Sequence, residues 1–247
     1  TAVGYLALTE NTVGTGNTAC GVNALRLNTS NSSNSAFGFG ALQNCNGGAN
    51  NTAVGYNALN ANTSGDHNVA IGNSALDANT TADSNIAIGS NALTDNTTGG
   101  ALIAIGRNTL QENTTANDNV GVGHEALKNA TTGGQNVAVG REALLLTSTG
   151  TNNVGVGMNA LKDNTTSNNQ TAVGYNALQN ATGGSNTAVG KNAGENITTG
   201  AQNVCLGINS NPSAATSNNQ FTLGDANISN LRCNDTSISS LSDERDK

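Results

Sequence analysis

The chain is predicted to be all-β, a parallel β-roll or β-solenoid of about fourteen 17-residue coils, and three observations predict it. First, a glycine recurs at Gly4, Gly21, Gly38, Gly55, Gly72, Gly89, Gly106, Gly123, Gly140, Gly157 and Gly174, seventeen residues apart each time. After the loss of one residue it continues at Gly190, Gly207 and Gly224. Second, the residue before each glycine is apolar, as at Val54, Ile71, Ile88, Ile105, Val122 and Val139, and the one before that is Ala or Gly in nearly every copy. Third, the segments between copies are rich in Asn, Thr and Gly, as in Asn96-Thr97-Thr98-Gly99-Gly100. A short fixed period sustained over a whole chain is the signature of stacked repeats.

Each copy opens on a β-branched run, as in Asn51-Thr52-Ala53-Val54-Gly55, the composition of a strand. Residues one and three before the glycine share a face and the small residue between them points the other way. A position restricted to Ala or Gly has something packed close against it, read here as a neighbouring backbone or a subunit contact. Gly55, Gly72, Gly89, Gly106, Gly123, Gly140, Gly157 and Gly174 are then corner residues, where a positive φ costs least. The Ala-Leu pairs that follow (Ala58-Leu59, Ala75-Leu76, Ala92-Leu93) are expected to place leucine in the coil interior, on a second short strand. Asn and Thr close the coil because their side chains bond the local backbone. An Asn four before the glycine in most copies (Asn17, Asn34, Asn51, Asn68, Asn85) can bond its counterparts up and down the stack, a ladder that Leu102 interrupts. At about 4.8 Å per rung, the rod is roughly 65 Å long. A helix does not fit, since five residues between the glycine and the Asn-Thr punctuation cannot make three turns.

Of the 247 residues, 35% are hydrophobic, 2% aromatic and 10% charged, against roughly a quarter charged in an ordinary domain. A single thin coil stack has little core, and stacking repeats supply it only in part, so burial against identical copies is expected. The net charge of −7 without a basic stripe disfavours nucleic acid. No stretch approaches the ~20 apolar residues of a membrane span, so no membrane insertion is expected within this sequence. It opens in mid-repeat at Thr1-Ala2-Val3-Gly4 and reads as a piece of something longer. The four cysteines (Cys20, Cys45, Cys205, Cys233) show no paired spacing and read as small buried hydrophobes. His67 and His124 have no partner at ligand spacing; neither metal nor cofactor is expected.

Along the chain, residues 1–207 form the repeat shaft. Residues 208–235 are fraying last coils and a neck, with Gly194 already standing where leucine is expected and Asn211-Pro212 at the equivalent place in the next copy. Residues 236–247 are a junction where charge becomes dense. The position after the glycine varies freely (Tyr56, Arg107, His124, Arg141, Tyr175, Lys191), as does the position after leucine (Arg26, Asp77, Lys128, Lys162). Both read as solvent-facing, and the first is the candidate surface for recognising a host glycan or protein. Asn-x-Ser/Thr sequons at Asn62, Asn79, Asn96, Asn113 and Asn164 recur because the loop recurs; they would be glycosylated only on a eukaryotic secretory route.

Two resemblances follow from these residues. The N-x-A-[IV]-G-x-x-A unit, as in Asn51-Thr52-Ala53-Val54-Gly55-Tyr56-Asn57-Ala58, resembles the head repeat of trimeric autotransporter adhesins, over nearly the whole chain and with a longer period than is usual there. That resemblance implies a left-handed parallel β-roll, three chains side by side, binding host matrix or cell surfaces. The tail, Ser242-Asp243-Glu244-Arg245-Asp246-Lys247, resembles the junction with the C-terminal intramolecular chaperone of phage tailspikes and fibres of the endosialidase type. It implies autoproteolysis with Ser242 as nucleophile and Lys247 as base, because a serine needs an adjacent base and a lysine serves if its pKa is lowered. A short charged cap without chemistry is the alternative.

The expected function is a homotrimeric structural and adhesive fibre, a virion or phage-like host-attachment appendage, with no enzymatic activity beyond the possible self-cleavage. It would sit on a virion or at the extracellular cell surface. The head of a bacterial surface adhesin is the alternative. A polysaccharide-cleaving tailspike needs clustered acids in a groove, whereas Asp66, Asp77, Asp95, Glu112 and Glu125 are scattered singly. An ice-binding solenoid is suggested by Thr63, Thr80, Thr97, Thr114 and Thr165 at one loop place.

Overall fold

The computed structural model describes residues 1–229. Fourteen short strands, from β1 (Ala2–Val3) to β14 (Phe221–Leu223), form one sheet in which every strand pairs in parallel with the next in sequence. The chain is thus a parallel β-solenoid with one rung per copy. Between β4 (Thr52–Val54) and β5 (Val69–Ile71) the register is Thr52↔Val69, Ala53↔Ala70 and Val54↔Ile71, so like residues stack on like. Where one residue is lost, Thr171 pairs with Thr187. The loop absorbs the deletion, and the sheet is unbroken.

The core is a narrow column inside the coils. In the rung of Gly55, Ala53, Ala58 and Leu59 are all fully buried. The middle strand residue therefore points into the chain's own interior, and the flanking residues point out. Of the two expected neighbours, a backbone is part of what the small residue meets, and a subunit contact is not, since the residue is buried within its own chain. A Cβ placed on Gly155 would lie 3.2 Å from the backbone oxygen of Ala160 and 3.3 Å from Leu144 Cγ of the preceding coil, so backbone and the chain's own leucine column together set the size limit.

The second expected strand is absent. The segment after the corner glycine runs as turns, with Asn57 at φ 52° and Leu59 at φ 53°. It still bonds rung to rung: Asn57 N–H donates to Phe39 O at 2.9 Å, and Leu59 N–H to Ala75 O at 2.9 Å. The first bond reaches the preceding coil and the second the following one. Alternating right- and left-handed residues keep these rung-to-rung bonds while turning the chain tightly enough for a seventeen-residue coil to close. A leucine with positive φ costs about 1–2 kcal/mol; its complete burial returns about 1.5–3 kcal/mol.

The corner glycine is required twice over. Gly106 has φ 137°, and a Cβ there would sit 2.6 Å from Gly123 O in the next coil. At the start of each strand, the buried asparagines form the expected ladder. Asn51 N–H donates to Asn34 Oδ1 at 2.9 Å while its own Nδ2 donates to Gly65 O at 2.8 Å. Leu102 still donates its N–H to Asn85 Oδ1, at 3.0 Å, but offers no acceptor to the next rung.

A second ladder was not foreseen. The sequon asparagines Asn62, Asn79, Asn96 and Asn113 are fully buried. Asn79 Nδ2 donates to Asn62 Oδ1 at 2.9 Å and to Ala82 O at 3.1 Å. An amide nitrogen committed inward in this way is closed to glycan transfer in the folded coil. Cys45 occupies the same file and its thiol donates to Gly48 O at 3.2 Å, with burial pushing its pKa up. Cys205 is also buried, but Cys20 is exposed, contrary to expectation, because it stands at the outward last position of β2 (Thr18–Cys20).

Candidate recognition face

Just past the corner glycine, the chain presents one side chain per rung at about 4.8 Å intervals. Tyr56, Arg107, Arg141, Tyr175 and Lys191 are exposed there and His124 is half-buried, as the free variation of this position predicted. The structure brings these residues into a single file along the rod. Neighbours in the file touch: Phe39 and Tyr56 stack with ring centroids 5.4 Å apart, and Lys191 Nζ lies 6.0 Å from the Tyr175 ring centroid. The rings thus offer their faces to file neighbours.

The middle of the file is charged. Arg107 Nη2 donates to His124 Nε2 at 2.6 Å, which requires that nitrogen to be the unprotonated one. On the next rung Arg141 holds Glu142 through Nε at 2.9 Å and Nη2 at 2.7 Å. Lys162 Nζ reaches the other oxygen of Glu142 at 2.7 Å. The Lys162 bond, aided by Arg141 and opposed by desolvation, lowers the Glu142 pKa. Glu125 is handled similarly by Lys128, at 3.6 Å; desolvation opposes ionisation there, yet the Asn108 amide and Lys128 leave the pKa lowered. Surface pairs of this kind contribute little to stability; their effect here is to fix the cations in place.

Glu125 and Glu142 escaped the sequence reading as partners. Glu125 pairs within its own coil, with Lys128 three residues on. For Glu142 the signal was a separation of twenty residues, one coil plus three, by which the residue after leucine reaches back to the preceding rung. Asn60 Nδ2 to Gly40 O and Thr94 Oγ1 to Ser74 O follow the same rule. The eight corner glycines line up along the sheet edge as expected. Ser242 and Lys247 lie outside the described residues, as do Cys233, residues 230–235 of the neck and the whole of the 236–247 junction. Among the described residues no cluster of His, Cys, Asp or Glu is placed to hold a metal ion, and no helix is long and apolar enough to cross a membrane. Asp66 and Asp83 spend one carboxylate oxygen each on a backbone amide of the preceding coil, Ala49 and Asp66, both at 2.7 Å.

On the sheet itself, the outward residues make a second long surface. Val54, Ile71, Ile105, Val139, Val173 and Val189 are each 37–43% exposed, beside a parallel file of Val69, Ile86, Ile103, Val120, Val137 and Val154. At the last rungs this stripe meets an open apolar hollow of about 550 Å³ lined by Leu206, Ile208, Leu223 and Ile228. Compared with family models, with curated proteins and with solved structures, the chain matches none.

Proposed function

We propose that this chain is the shaft of a homotrimeric fibre whose work is mechanical and adhesive, carried on a virion or phage-like attachment appendage. The observation that supports it is the long apolar stripe on the outer face of the sheet, unbroken from Val69 and Ile71 to Val154 and Val156 and varied only by threonine at Thr52, Thr171 and Thr187 in one file. Two β-branched files without a charge run side by side over about ten rungs, and a long contiguous apolar face of this kind marks an interaction surface. The partner that best fits is another copy. Only a chain with the same rung spacing stays in register with the stripe along its length, and the stripe has no charge with which to select a different surface. Three copies, by the resemblance of the repeat, close the stripe around a common axis and leave the file of Tyr56, Arg107 and Tyr175 outside.

A bacterial surface adhesin head is the second reading, favoured by the N-x-A-[IV]-G repeat at Asn51, Asn68, Asn85, Asn136 and Asn186 and by its near variants in the other rungs. The virion reading rests on Ser242, Asp243, Arg245 and Lys247, and mass spectrometry of the mature chain tests it. A carboxyl terminus produced by cleavage at the Ser242 junction is expected, and a mature chain continuous past Lys247 argues for the adhesin.

The trimer is tested by sedimentation equilibrium of the 247-residue chain. A mass three times that of the chain is expected, and Val122→Asp with Val139→Asp should convert it to monomer or aggregate by burying charge in the interface. A monomer at micromolar concentration with the native stripe intact overturns the proposal.

A further inference from the structure

We propose that the file Arg107–His124–Arg141 binds a linear polysaccharide bearing carboxylate groups, laid along the rod. This deepens the adhesive reading and rests on it for the exposure of the file in the assembled fibre. Four facts carry it.

The first is charge against background. The chain has a net charge of −7, yet of the six basic residues among 1–229 (nine in the chain less Arg232, Arg245 and Lys247) four lie between 107 and 162. Glu112, Asp118, Glu125 and Glu142 share that span, which is therefore neutral, whereas the rest of residues 1–229 holds two basic and eight acidic residues; a polyanion meets the least repulsion here.

The second is availability. Among the described residues no ion pair includes Arg107, whose guanidinium contacts only the His124 ring. The Arg141 side chain is 62% exposed, and Glu142 engages only two of its five N–H donors. Glu142 is itself neutralised from two sides, by Arg141 and Lys162, so it holds the site in shape and leaves the cations in excess.

The third is shape. The groups stand in a line, one per rung. Arg107 and Arg141 are two rungs apart, about 10 Å, with a hydrogen-bonding ring between them. Such a line recognises an extended polymer whose charges recur at a similar step, and a guanidinium grips a carboxylate bidentately.

The fourth is the neighbouring file of amides. Asn91 Nδ2 lies 3.4 Å from Asn108 Oδ1, and Asn108 Nδ2 lies 3.3 Å from Glu125 Oε1. Planar amides beside guanidinium groups suit pairs of adjacent hydroxyls, which a sugar chain has and an acidic polypeptide lacks.

The test uses the full 247-residue chain against immobilised hyaluronan, which has one carboxylate per disaccharide. Dextran serves as the neutral polysaccharide and poly-glutamate as the anionic polypeptide. Hyaluronan is expected to bind, weakening as salt is raised, with dextran at background. Arg107→Ala with Arg141→Ala should weaken it at least about tenfold, and Arg26→Ala should leave it unchanged. Circular dichroism checks that the variants fold. Absence of hyaluronan binding, an unaffected double variant, or equal or tighter binding to poly-glutamate overturns the inference. Sedimentation of the same samples separates this from the fibre reading. A trimer that ignores hyaluronan sinks only the polysaccharide, whereas a monomer that binds it sinks only the trimer.

Discussion

Two of the sequence's irregular residues explain each other once the coil interior is known. Thr109 stands where other rungs have Ala, and Gly121 stands where the next strand has Ala. A Cβ on Gly121 would lie 2.6 Å from Thr109 Cγ2, so the methyl missing from one position is supplied by the other. Gly194 and Ile197 repeat the exchange. Glycine replaces the core leucine at φ 65°, and a Cβ there would lie 2.7 Å from Leu178 Cδ2 of the preceding coil and 3.3 Å from Ile197 Cδ1, with Ile197 fully buried in the file usually held by Asn. The pairs predict a strong coupling. Gly121→Ala alone should cost about 1–3 kcal/mol by overpacking. Combined with Thr109→Ala, which restores the Ala/Ala arrangement of the other rungs, it should recover at least about 1 kcal/mol of that loss. A thermal or denaturant unfolding cycle measures it, and strict additivity of the two changes would refute the compensation.

At the scale of the element, each ladder ends where its residue type ends. Asn113 Oδ1 is buried without a donor, because the next residue in its file is Ala130. Installing the amide with Ala130→Asn should give Asn113 its missing donor and bond the carbonyl of Gly133, as Asn96 does with Asn79 Oδ1 at 3.2 Å and Gly99 O at 2.9 Å. A gain of about 1 kcal/mol in unfolding free energy is expected, read as an upward shift of the denaturant midpoint; a downward shift would show that the site cannot admit the side chain.

The elements also divide into those the sequence made legible and those it hid. Periodic glycine, the Ala-Val strand and the first asparagine ladder were readable, because each needs one residue type at one place in every copy. The interior leucine was readable for the same reason. The turn that carries that leucine was not, since Leu59 in the left-handed region goes against its own preference and is held there by the coil's closure. The Asn62 file looked like loop punctuation or glycan acceptors, because a buried loop amide and an exposed one have the same local sequence. In the candidate site the exposed file was found from its variability, while the Glu142–Lys162 contact needed the coil geometry that sets a twenty-residue reach.

On the scale of the whole molecule, the core of one chain is a single column of alanine and leucine, and the sheet's outer face is apolar. Unfolding of the proposed trimer must therefore depend on chain concentration, because dissociation and unfolding are linked by mass action. The melting temperature is expected to rise across a hundredfold increase in concentration, followed by circular dichroism. An invariant melting temperature would mean that one column suffices.

The direction of the rung-to-rung bonds has a mechanical consequence. They run from coil to coil, along the length of the rod, so a pull on its two ends opens them one rung after another like teeth of a zip, and no group of them shares the load. A tether built from one such chain would peel at low force. Lateral contact between sister strands lies across the pull and must slide before any coil can open, so in a fibre that holds a particle to a surface the tensile strength would reside between chains.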